Sequence, residues 1–174
     1  MADLGYCPAC GEGLVERFVD DRPRRVCPVC ARVHWRNAKP CAGALIVRNG
    51  KVLLVRRTIE PFLGYWDSPG GFCEVDEHPV EAAIRETWEE TGLQIELTGL
   101  LGLWLDEYAG NMTLNVYYLA RPLTRRLRPG SDADAAAWFA PDALPARIAF
   151  HNGRQALETW AGNDATPLHL RGLP

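Results

Sequence analysis

Four of the six cysteines in this 174-residue chain occur as two C-P-x-C pairs. Cys7 and Cys10 form the first pair, Cys27 and Cys30 form the second, and 16 residues separate the pairs. That spacing is typical of a structural zinc site, in which two tight turns point four thiolates at one tetrahedral Zn²⁺ ion. The intervening residues include too few apolar side chains to form a core unaided, so the metal is expected to stabilise this segment.

The alternative is that these cysteines are unligated or oxidised. The N-terminal sequence MADLGYCPAC lacks the charged-then-apolar pattern of a secretory signal, and no apolar run approaches the roughly 18 residues that span a bilayer. We therefore expect a cytoplasmic protein with no membrane partner, whose cysteines are metal ligands or core residues rather than disulfides. Cys41 and Cys73 have no partner in the pattern and are expected to be small buried residues.

Charge argues against a nucleic-acid partner. The net charge is -3 and the pI is about 5.8, so nothing draws the whole chain to a polyanion. Residues 1–40 carry seven basic and five acidic side chains, and a zinc tetrathiolate adds about two negative charges. The cysteine segment is thus close to neutral, and we expect its role to be structural.

Beyond Pro40 the pattern is that of a mixed α/β domain, and 47% hydrophobic residues are enough for a core. Short runs rich in β-branched, aromatic and aliphatic residues predict strands: CAGALIVRN, KVLLVRR, LLGLWLDEY, TLNVYYLARPL and AAAWFA. Asn49-Gly50 predicts a tight hairpin, and residues 109–113 predict another antiparallel turn. One helix is expected at 79–91 and a second at about 152–160, which gives a mixed sheet flanked by helices.

The first predicted helix is amphipathic in an unusual way. Pro79 suits its first turn and Gly92 suits its end. One stripe is expected to face the sheet, namely Val80, Ile84, Thr87, Trp88 and Thr91. The opposite side carries three glutamates: Glu86, Glu89 and Glu90. Such close like charges repel one another, and the helix has no lysine to offset them.

Two explanations account for this acidic face. It could be solvated, with Arg85 and Glu89 forming an ordinary i,i+4 ion pair. It could instead hold a divalent cation, because the helix follows the turn Ser68-Pro69-Gly70-Gly71, whose backbone can approach a ligand closely. Mg²⁺ takes one or two carboxylates together with substrate phosphate oxygens, so the setting favours a metal site for phosphate chemistry.

The same residues form a known motif. Gly71, five residues, Glu77, seven residues and then RETWEETGL resemble the Nudix box, GX5EX7REUXEEXGU with U aliphatic, except that Thr87 takes an aliphatic position. With the zinc ribbon, VHWRNAKP, RRTIEPFLGYWDSPGGF and WFAPDALPARIAFHNGRQALETW, the chain resembles zinc-ribbon Nudix hydrolases that cleave ADP-ribose or FAD. The resemblance implies a zinc ribbon at 1–37, an α-β-α Nudix sandwich of the α+β class at 38–163 and a loose tail at 164–174.

The resemblance implies hydrolysis of a nucleoside diphosphate linked to another moiety, X, with Mg²⁺ or Mn²⁺ as cofactor. Glu86 and Glu90 would be the first metal ligands, with Glu89 adjacent and the carbonyl of Gly70 completing the set. Glu77 and Arg85 would form a pair that orients the helix against the glycine turn.

Three further assignments follow from the resemblance and the local sequence. Asp132, before the late Trp-Phe strand, matches the place of a general base, although aspartate is shorter than the usual glutamate; a box glutamate is the alternative base. Arg57, with Arg56, ends a strand leading to the site and is a candidate phosphate contact, although a solvated strand end explains both arginines equally well. Tyr65, with Phe62 and Trp66, is a candidate for stacking on an adenine, although core packing explains at least two of these rings.

Alternative functions remain open at this point. NADH pyrophosphatases carry an SQPWPFPxS array after the box, where this chain has LTGLLGLWLDEYAGNMTLNVYY, so NADH and NAD-capped RNA are secondary candidates. Hydrolysis of NADH or of nucleoside triphosphates is the alternative enzymatic function. A ligand-sensing regulator is a third possibility, but it would have no use for an intact set of metal ligands. Many relatives form homodimers, so a homodimer is possible here.

Overall fold

The computed structural model describes residues 5–130 and 132–162. The tail expected at 164–174 lies outside the described residues. Within them the chain separates into two compact units. The first comprises residues 5–38 and Glu107–Met112, and the second comprises Lys39–Asp106 together with residues 113–130 and 132–162.

The first unit contains a small antiparallel sheet. Its strands are β1 (Val15–Val19), β2 (Arg22–Val26) and β3 (Val33–His34), in the order β1-β2-β3. Asp20 and Asp21 both have positive φ, 50° and 56°, which is the geometry of a two-residue hairpin turn. The hydrophobic cluster here consists of Cys7, Leu14 and Cys27, which is too small to stabilise a fold.

The second unit is built on a mixed seven-stranded sheet in the order β10-β5-β4-β9-β8, with β6 paired to β5 and β7 paired to β4. Strand β4 runs parallel to β9 and antiparallel to β5 and β7. The strands are β4 (Lys39–Arg48), β5 (Lys51–Arg57), β6 (Trp66–Asp67), β7 (Gly70–Phe72), β8 (Ile95–Tyr108), β9 (Asn111–Pro122) and β10 (Ala133–Phe139). The predicted mixed sheet is confirmed.

Two helices accompany this sheet: α1 (Pro79–Thr91) and α2 (His151–Ala161). The span predicted for α1 is confirmed. His78 caps α1: its Nδ1 accepts from the Val80 N–H at 3.2 Å, while the Glu81 side chain accepts from the His78 N–H at 2.9 Å. Gly92 ends the helix with a φ of 68°, as its left-handed C-terminal cap. Neither α-helix in the described part of the chain has the length and hydropathy of a bilayer-spanning segment.

The face of α1 that packs on the sheet differs from the predicted stripe. Ile84 and Trp88 are 39% and 55% exposed, so the expectation that they face the core is wrong. Thr87 and Thr91 of the predicted stripe are buried as expected, and Ala82 and Ala83, which the stripe left out, are buried beside them. The two alanines allow close approach to Ala42 and Tyr118 of the sheet. The hydrophobic pattern assigned Ile84 and Trp88 to the wrong face, because the contacts of Glu86 and Glu90 with the glycine turn also determine how α1 is rotated.

The glycine turn itself is pressed against β4. Gly43 is in register with Gly70, and a Cβ at Gly70 would lie 2.7 Å from the Gly43 Cα atom. A Cβ at Gly43 would lie 2.9 Å from the carbonyl oxygen of Pro69, which accepts from the Ala44 N–H. These contacts fix the backbone from Pro69 to Gly71 on the central strand of the sheet.

Candidate active site

The glycine turn and α1 meet directly. The N–H of Gly70 donates to Glu90 Oε2 at 3.3 Å. Glu86 packs on Gly71 so closely that a Cβ at residue 71 would lie 2.5 Å from Glu86 Oε1. Gly70, Glu86 and Glu90 therefore lie together, as the sequence predicted, and glycine is needed at position 71 to admit the carboxylate.

Arg85 connects the acidic residues of this region. Its Nε and Nη2 donate to the two oxygens of Glu77, both at 2.8 Å, and Nη2 also donates to the carbonyl oxygen of Phe72 at 3.0 Å. Its Nη1 donates to Glu86 Oε1 at 2.7 Å and to Glu89 Oε2 at 3.1 Å. Hydrogen bonding from Arg85 lowers the pKa of Glu77. One guanidinium thus joins the segment before α1 to two carboxylates on the helix.

Replacing Arg85 with lysine tests this arrangement. Lysine keeps the charge but cannot form the paired contacts with Glu77 while also reaching Glu86 and Glu89. We expect kcat/KM to fall by about 100-fold, because a displacement of about 1 Å at a reacting centre has an effect of that size. Steady-state kinetics check this, with Arg126→Lys as the control on an exposed loop. Activity within twofold of the unmodified protein would show that Arg85 has no positioning role.

Burial destabilises the charged forms of two of these carboxylates. Glu90 is largely buried, and its pKa is raised well above the usual value by desolvation first and then by the negative charges of Asp67 and Glu86. Desolvation also raises the pKa of Glu86, although Arg85 acts in the opposite direction. A bound divalent cation would reverse this balance, because its charge favours ionised carboxylates. Carboxylate oxygens are the donors that a hard cation such as Mg²⁺ or Mn²⁺ prefers, so this group of side chains fits such an ion.

The cysteines are more closely gathered than the glutamates. The ligand atoms of Cys7, Cys10, Cys27 and Cys30 all lie within 4.8 Å of one another. Among the described residues, no other group of three or more potential metal-binding side chains is gathered so closely. The Cys7 and Cys30 Sγ atoms are 3.7 Å apart, and those of Cys10 and Cys27 are 3.4 Å apart. A hydrogen bond from the Cys30 N–H is the main factor that lowers the pKa of Cys27 to about 7. Four sulfurs at this spacing fit a tetrahedral zinc ion.

A buried carboxylate that sequence reasoning missed lies beside the glycine turn. Asp67 Oδ1 accepts from the Ser68 N–H at 2.9 Å, and its Oδ2 lies 3.7 Å from Arg57 Nη1. Burial raises the pKa of Asp67 to about 7, against the opposing effect of Arg57. In the sequence, an aspartate before Ser-Pro looks like an ordinary turn residue, and only its place directly after the aromatic pair Tyr65-Trp66 indicated burial.

Asp67 gives the protein a predictable pH dependence. Its folded-state pKa of about 7 lies above its ordinary value of 3.8, so the folded state holds this proton more tightly than the unfolded state. The free energy of unfolding should therefore fall as pH rises from about 4 to about 7, by at most about 1.4 kcal/mol per pH unit. Asp67→Asn should lose this component and gain stability relative to the unmodified protein across that range. Denaturant unfolding at several pH values measures the difference, and a pH-independent difference would contradict it.

The remaining predicted site residues lie nearby in varied surroundings. Arg57 is largely buried, and its Nε donates to the carbonyl oxygen of Pro61 at 3.1 Å. Tyr65 is half-buried, with the guanidinium of Arg147 at 5.8 Å from its ring centroid. The carbonyl oxygen of Asp132 accepts from the Thr58 N–H at 2.9 Å.

The loop that carries Asp132 is attached to the end of α1. The Gly130 N–H donates to the carbonyl oxygen of Glu90 at 3.0 Å, and the Arg128 N–H donates to that of Thr91 at 2.7 Å. A Cβ at Gly130 would lie 2.2 Å from the carbonyl oxygen of Glu89, so only glycine permits this contact. The candidate base is thus two residues from a direct contact with the acidic helix.

Comparison with known proteins decides the family. The family model described as NUDIX domain matches residues 38–160, and the one described as Nudix N-terminal, a zinc ribbon, matches residues 5–36. The chain belongs to the Nudix hydrolase family. The Nudix fold class and the zinc ribbon predicted from the sequence are thereby confirmed, and members of this family generally use divalent metal ions.

Individual Nudix relatives cover different parts of the chain. An ADP-ribose pyrophosphatase from Methanocaldococcus jannaschii is 34% identical over 108 residues, 61% of this chain and 63% of that protein. The NAD-capped RNA hydrolase NudC from Chromobacterium violaceum is 31% identical over 141 residues, 80% of this chain and 51% of that protein. This chain thus spans between half and two thirds of the length of these relatives.

One solved structure covers nearly the whole chain. The crystal structure of a NUDIX hydrolase from Nitrosomonas europaea superposes with a TM-score of 0.82 at 27% identity, covering 95% of this chain and 96% of that one. The similarity therefore extends over nearly the full length of both chains.

Proposed function

We propose that this protein hydrolyses the pyrophosphate bond of a nucleoside diphosphate linked to X, with ADP-ribose or an FAD-like dinucleotide as substrate. The observation that carries this proposal is the contact of Glu86 and Glu90 with the glycine turn, held by Arg85. It places buried carboxylates beside a backbone that can approach phosphate oxygens. A cytoplasmic location and a homodimer remain predictions from the sequence.

Glu86, Glu89, Glu90 and the carbonyl of Gly70 are proposed to hold Mg²⁺ or Mn²⁺. When bound, the cation would neutralise charge on the pyrophosphate oxygens and favour ionisation of the attacking water. Arg85 and Glu77 position the carboxylates, as their paired hydrogen bonds of 2.8 Å support. Zn²⁺ in the four-cysteine site is proposed to stabilise the ribbon.

The protein's own residues then position the reaction. The oxygen of a water molecule forms a bond to one phosphorus, and the bridging P–O bond breaks, with its electron pair going to the departing phosphate. Asp132 is proposed to accept the proton that the water loses. The products are two phosphate monoesters, for example AMP and ribose 5-phosphate from ADP-ribose.

The role of Asp132 has a matched control two residues away. Asp134 forms a paired contact with Arg56, with donor-to-acceptor distances of 2.7 and 3.0 Å, and stands outside the proposed chemistry. Asp132→Asn should lower kcat by about 100- to 10,000-fold, the usual contribution of a general base. Asp134→Asn should leave kcat within about threefold. Equal effects of the two substitutions would remove Asp132 from the mechanism and favour a box glutamate as the base.

Substrate choice is supported by sequence and by relatives. The ADP-ribose pyrophosphatase relative favours ADP-ribose, and the sequence after the box lacks the array of NADH pyrophosphatases. The NudC relative keeps NADH and NAD-capped RNA as the second candidates, because it aligns with 80% of the chain.

A substrate panel tests the proposal. Purified protein with Mg²⁺ or Mn²⁺ is offered ADP-ribose, FAD, NADH, NAD-capped RNA and nucleoside triphosphates, and the products are separated by chromatography. We expect the highest kcat/KM with ADP-ribose or FAD. Preference for NADH or capped RNA would move the second candidate to first place.

A further inference from the structure

Two phenylalanines in contact with each other have backbone conformations that bulky residues rarely adopt. Phe62 has a φ of 71° and Phe150 has a φ of 52°. Their ring centroids are 5.0 Å apart in an edge-to-face arrangement, and Phe62 remains 38% exposed. Each such conformation costs on the order of 1–3 kcal/mol and persists where the surrounding structure enforces it, often at ligand sites.

Further aromatic and cationic groups surround these two rings. Tyr65 lies with its ring centroid 5.5 Å from that of Phe62. The guanidinium of Arg57 lies 4.9 Å from the Phe150 ring centroid, and that of Arg147 lies 5.8 Å from the Tyr65 ring centroid. We name Phe62, Tyr65 and Phe150 the aromatic cluster. Segments that are far apart in sequence build it, so the fold rather than a local run of aromatic residues creates this surface.

Short contacts connect the aromatic cluster with the candidate active site. Arg57, which lies over Phe150, is 3.7 Å from Asp67 Oδ2. Asp67 in turn accepts from the Ser68 N–H, and two residues later the Gly70 N–H meets Glu90. The aromatic cluster and Glu90 are therefore joined through Arg57, Asp67 and the glycine turn.

Arg57 carries an unused donor. Its Nη2 is buried and has no hydrogen-bond partner among the described residues, whereas Nε donates to the carbonyl oxygen of Pro61. A buried guanidinium N–H without an acceptor is unfavourable, so a ligand oxygen at this position would be stabilising. Phosphate and ribose oxygens are suitable acceptors.

We propose that the aromatic cluster binds the planar ring of the substrate, an adenine or a flavin, and that Arg57 Nη2 donates to an adjoining phosphate or ribose oxygen. This subsite rests on the proposed function, because it assigns one end of the dinucleotide whose pyrophosphate lies at the acidic helix. Base stacking on an aromatic side chain contributes about 1–3 kcal/mol per base. Loss of the Phe62 ring should therefore weaken binding by about 5- to 150-fold.

Ligand binding in the absence of turnover tests the subsite. Glu90→Gln protein with added Mg²⁺, in which turnover is expected to be at least about 1,000-fold slower, is titrated with FAD, ADP-ribose and the ring-free probe inorganic pyrophosphate. Adding Phe62→Leu should raise the Kd of FAD or ADP-ribose about 10-fold and leave that of pyrophosphate unchanged, and Phe62→Tyr should restore binding. Phe18→Leu, an exposed phenylalanine of the ribbon, is the control, and Tm confirms that each variant is folded.

Several outcomes would overturn the subsite. These are an unchanged Kd for FAD and ADP-ribose in Phe62→Leu, an equal loss for pyrophosphate, or no binding of any ring-bearing ligand at millimolar concentration. AMP and FMN as separate probes tell whether the ring is adenine or flavin. Hydrolysis by the unmodified protein with an unchanged KM in Phe62→Leu would reject the subsite but keep the proposed function. Binding that depends on Phe62, in a protein that hydrolyses none of the compounds, would keep the subsite and reject the proposed function.

Discussion

Glu90→Gln is expected to lower kcat for the preferred dinucleotide by at least about 1,000-fold, because a divalent-ion site contributes several kcal/mol of transition-state stabilisation. The Glu90→Gln substitution should not lower the stability of the folded protein. Glutamine keeps an acceptor for the Gly70 N–H, and it removes a buried carboxylate whose charged form is disfavoured. We therefore expect Tm at pH 8 to stay the same or rise.

The control for this substitution is Glu158→Gln, an exposed glutamate on α2 that is chemically identical but outside the site. Its kcat should match that of the unmodified protein. A Glu90→Gln variant that keeps more than a tenth of the kcat would contradict the assignment of Glu90 as a metal ligand. A large fall in Tm would indicate that Glu90 acts chiefly on the fold.

Removal of zinc is expected to unfold the ribbon. Among the described residues, the hydrophobic cluster of the ribbon consists of Cys7, Leu14 and Cys27, which is too small to keep it folded without metal. Each chain should bind one Zn²⁺ ion, and Cys27→Ser should abolish that binding because it removes one of the four thiolates. Arg24 and Arg25 are half-buried in β2, and Arg24 lies over the Trp35 ring at 4.2 Å. Trypsin should therefore cleave after these arginines at least about 100-fold faster in the zinc-free protein, since structural zinc contributes roughly 10 kcal/mol or more in small domains.

Cys73→Ser is the matched control for the zinc experiment. Cys73 lies outside the four-cysteine group, so its substitution should change neither the zinc content nor the trypsin cleavage rate. Zinc analysis and mass spectrometry of the fragments provide the two measurements. A zinc-free protein that resists trypsin as well as the zinc-bound protein would show that the ribbon folds without metal.

Sequence patterns predicted the parts of the fold that local chemistry determines. Pro79 and Gly92 mark the ends of α1, and the C-P-x-C turns bring four sulfurs together. The rotation of α1 was not predictable from periodicity. Trp88 lies on the predicted stripe but is exposed, whereas Ala82 and Ala83 lie off it and are buried. Thr87 is buried as expected, and its hydroxyl donates to the carbonyl oxygen of Ala83.

Other features that local sequence patterns did not predict depend on contacts between distant segments. Asp67 is buried because Arg57 and the Ser68 N–H both partner it, and neither partnership follows from a local pattern. The contact between Phe62 and Phe150 joins residues 88 positions apart, and the positive φ of both residues cannot be predicted from their identities. Such features depend on the assembled sheet rather than on propensity.

Turnover distinguishes a hydrolase from a ligand-sensing regulator with the same fold. The most direct test incubates the protein with ADP-ribose and FAD, with and without Mg²⁺ or Mn²⁺, in water enriched in ¹⁸O. We predict cleavage that requires the divalent ion, with one ¹⁸O atom from water in one of the two phosphate monoesters formed. Tight binding of either compound with no labelled product would contradict the hydrolase and support the regulator.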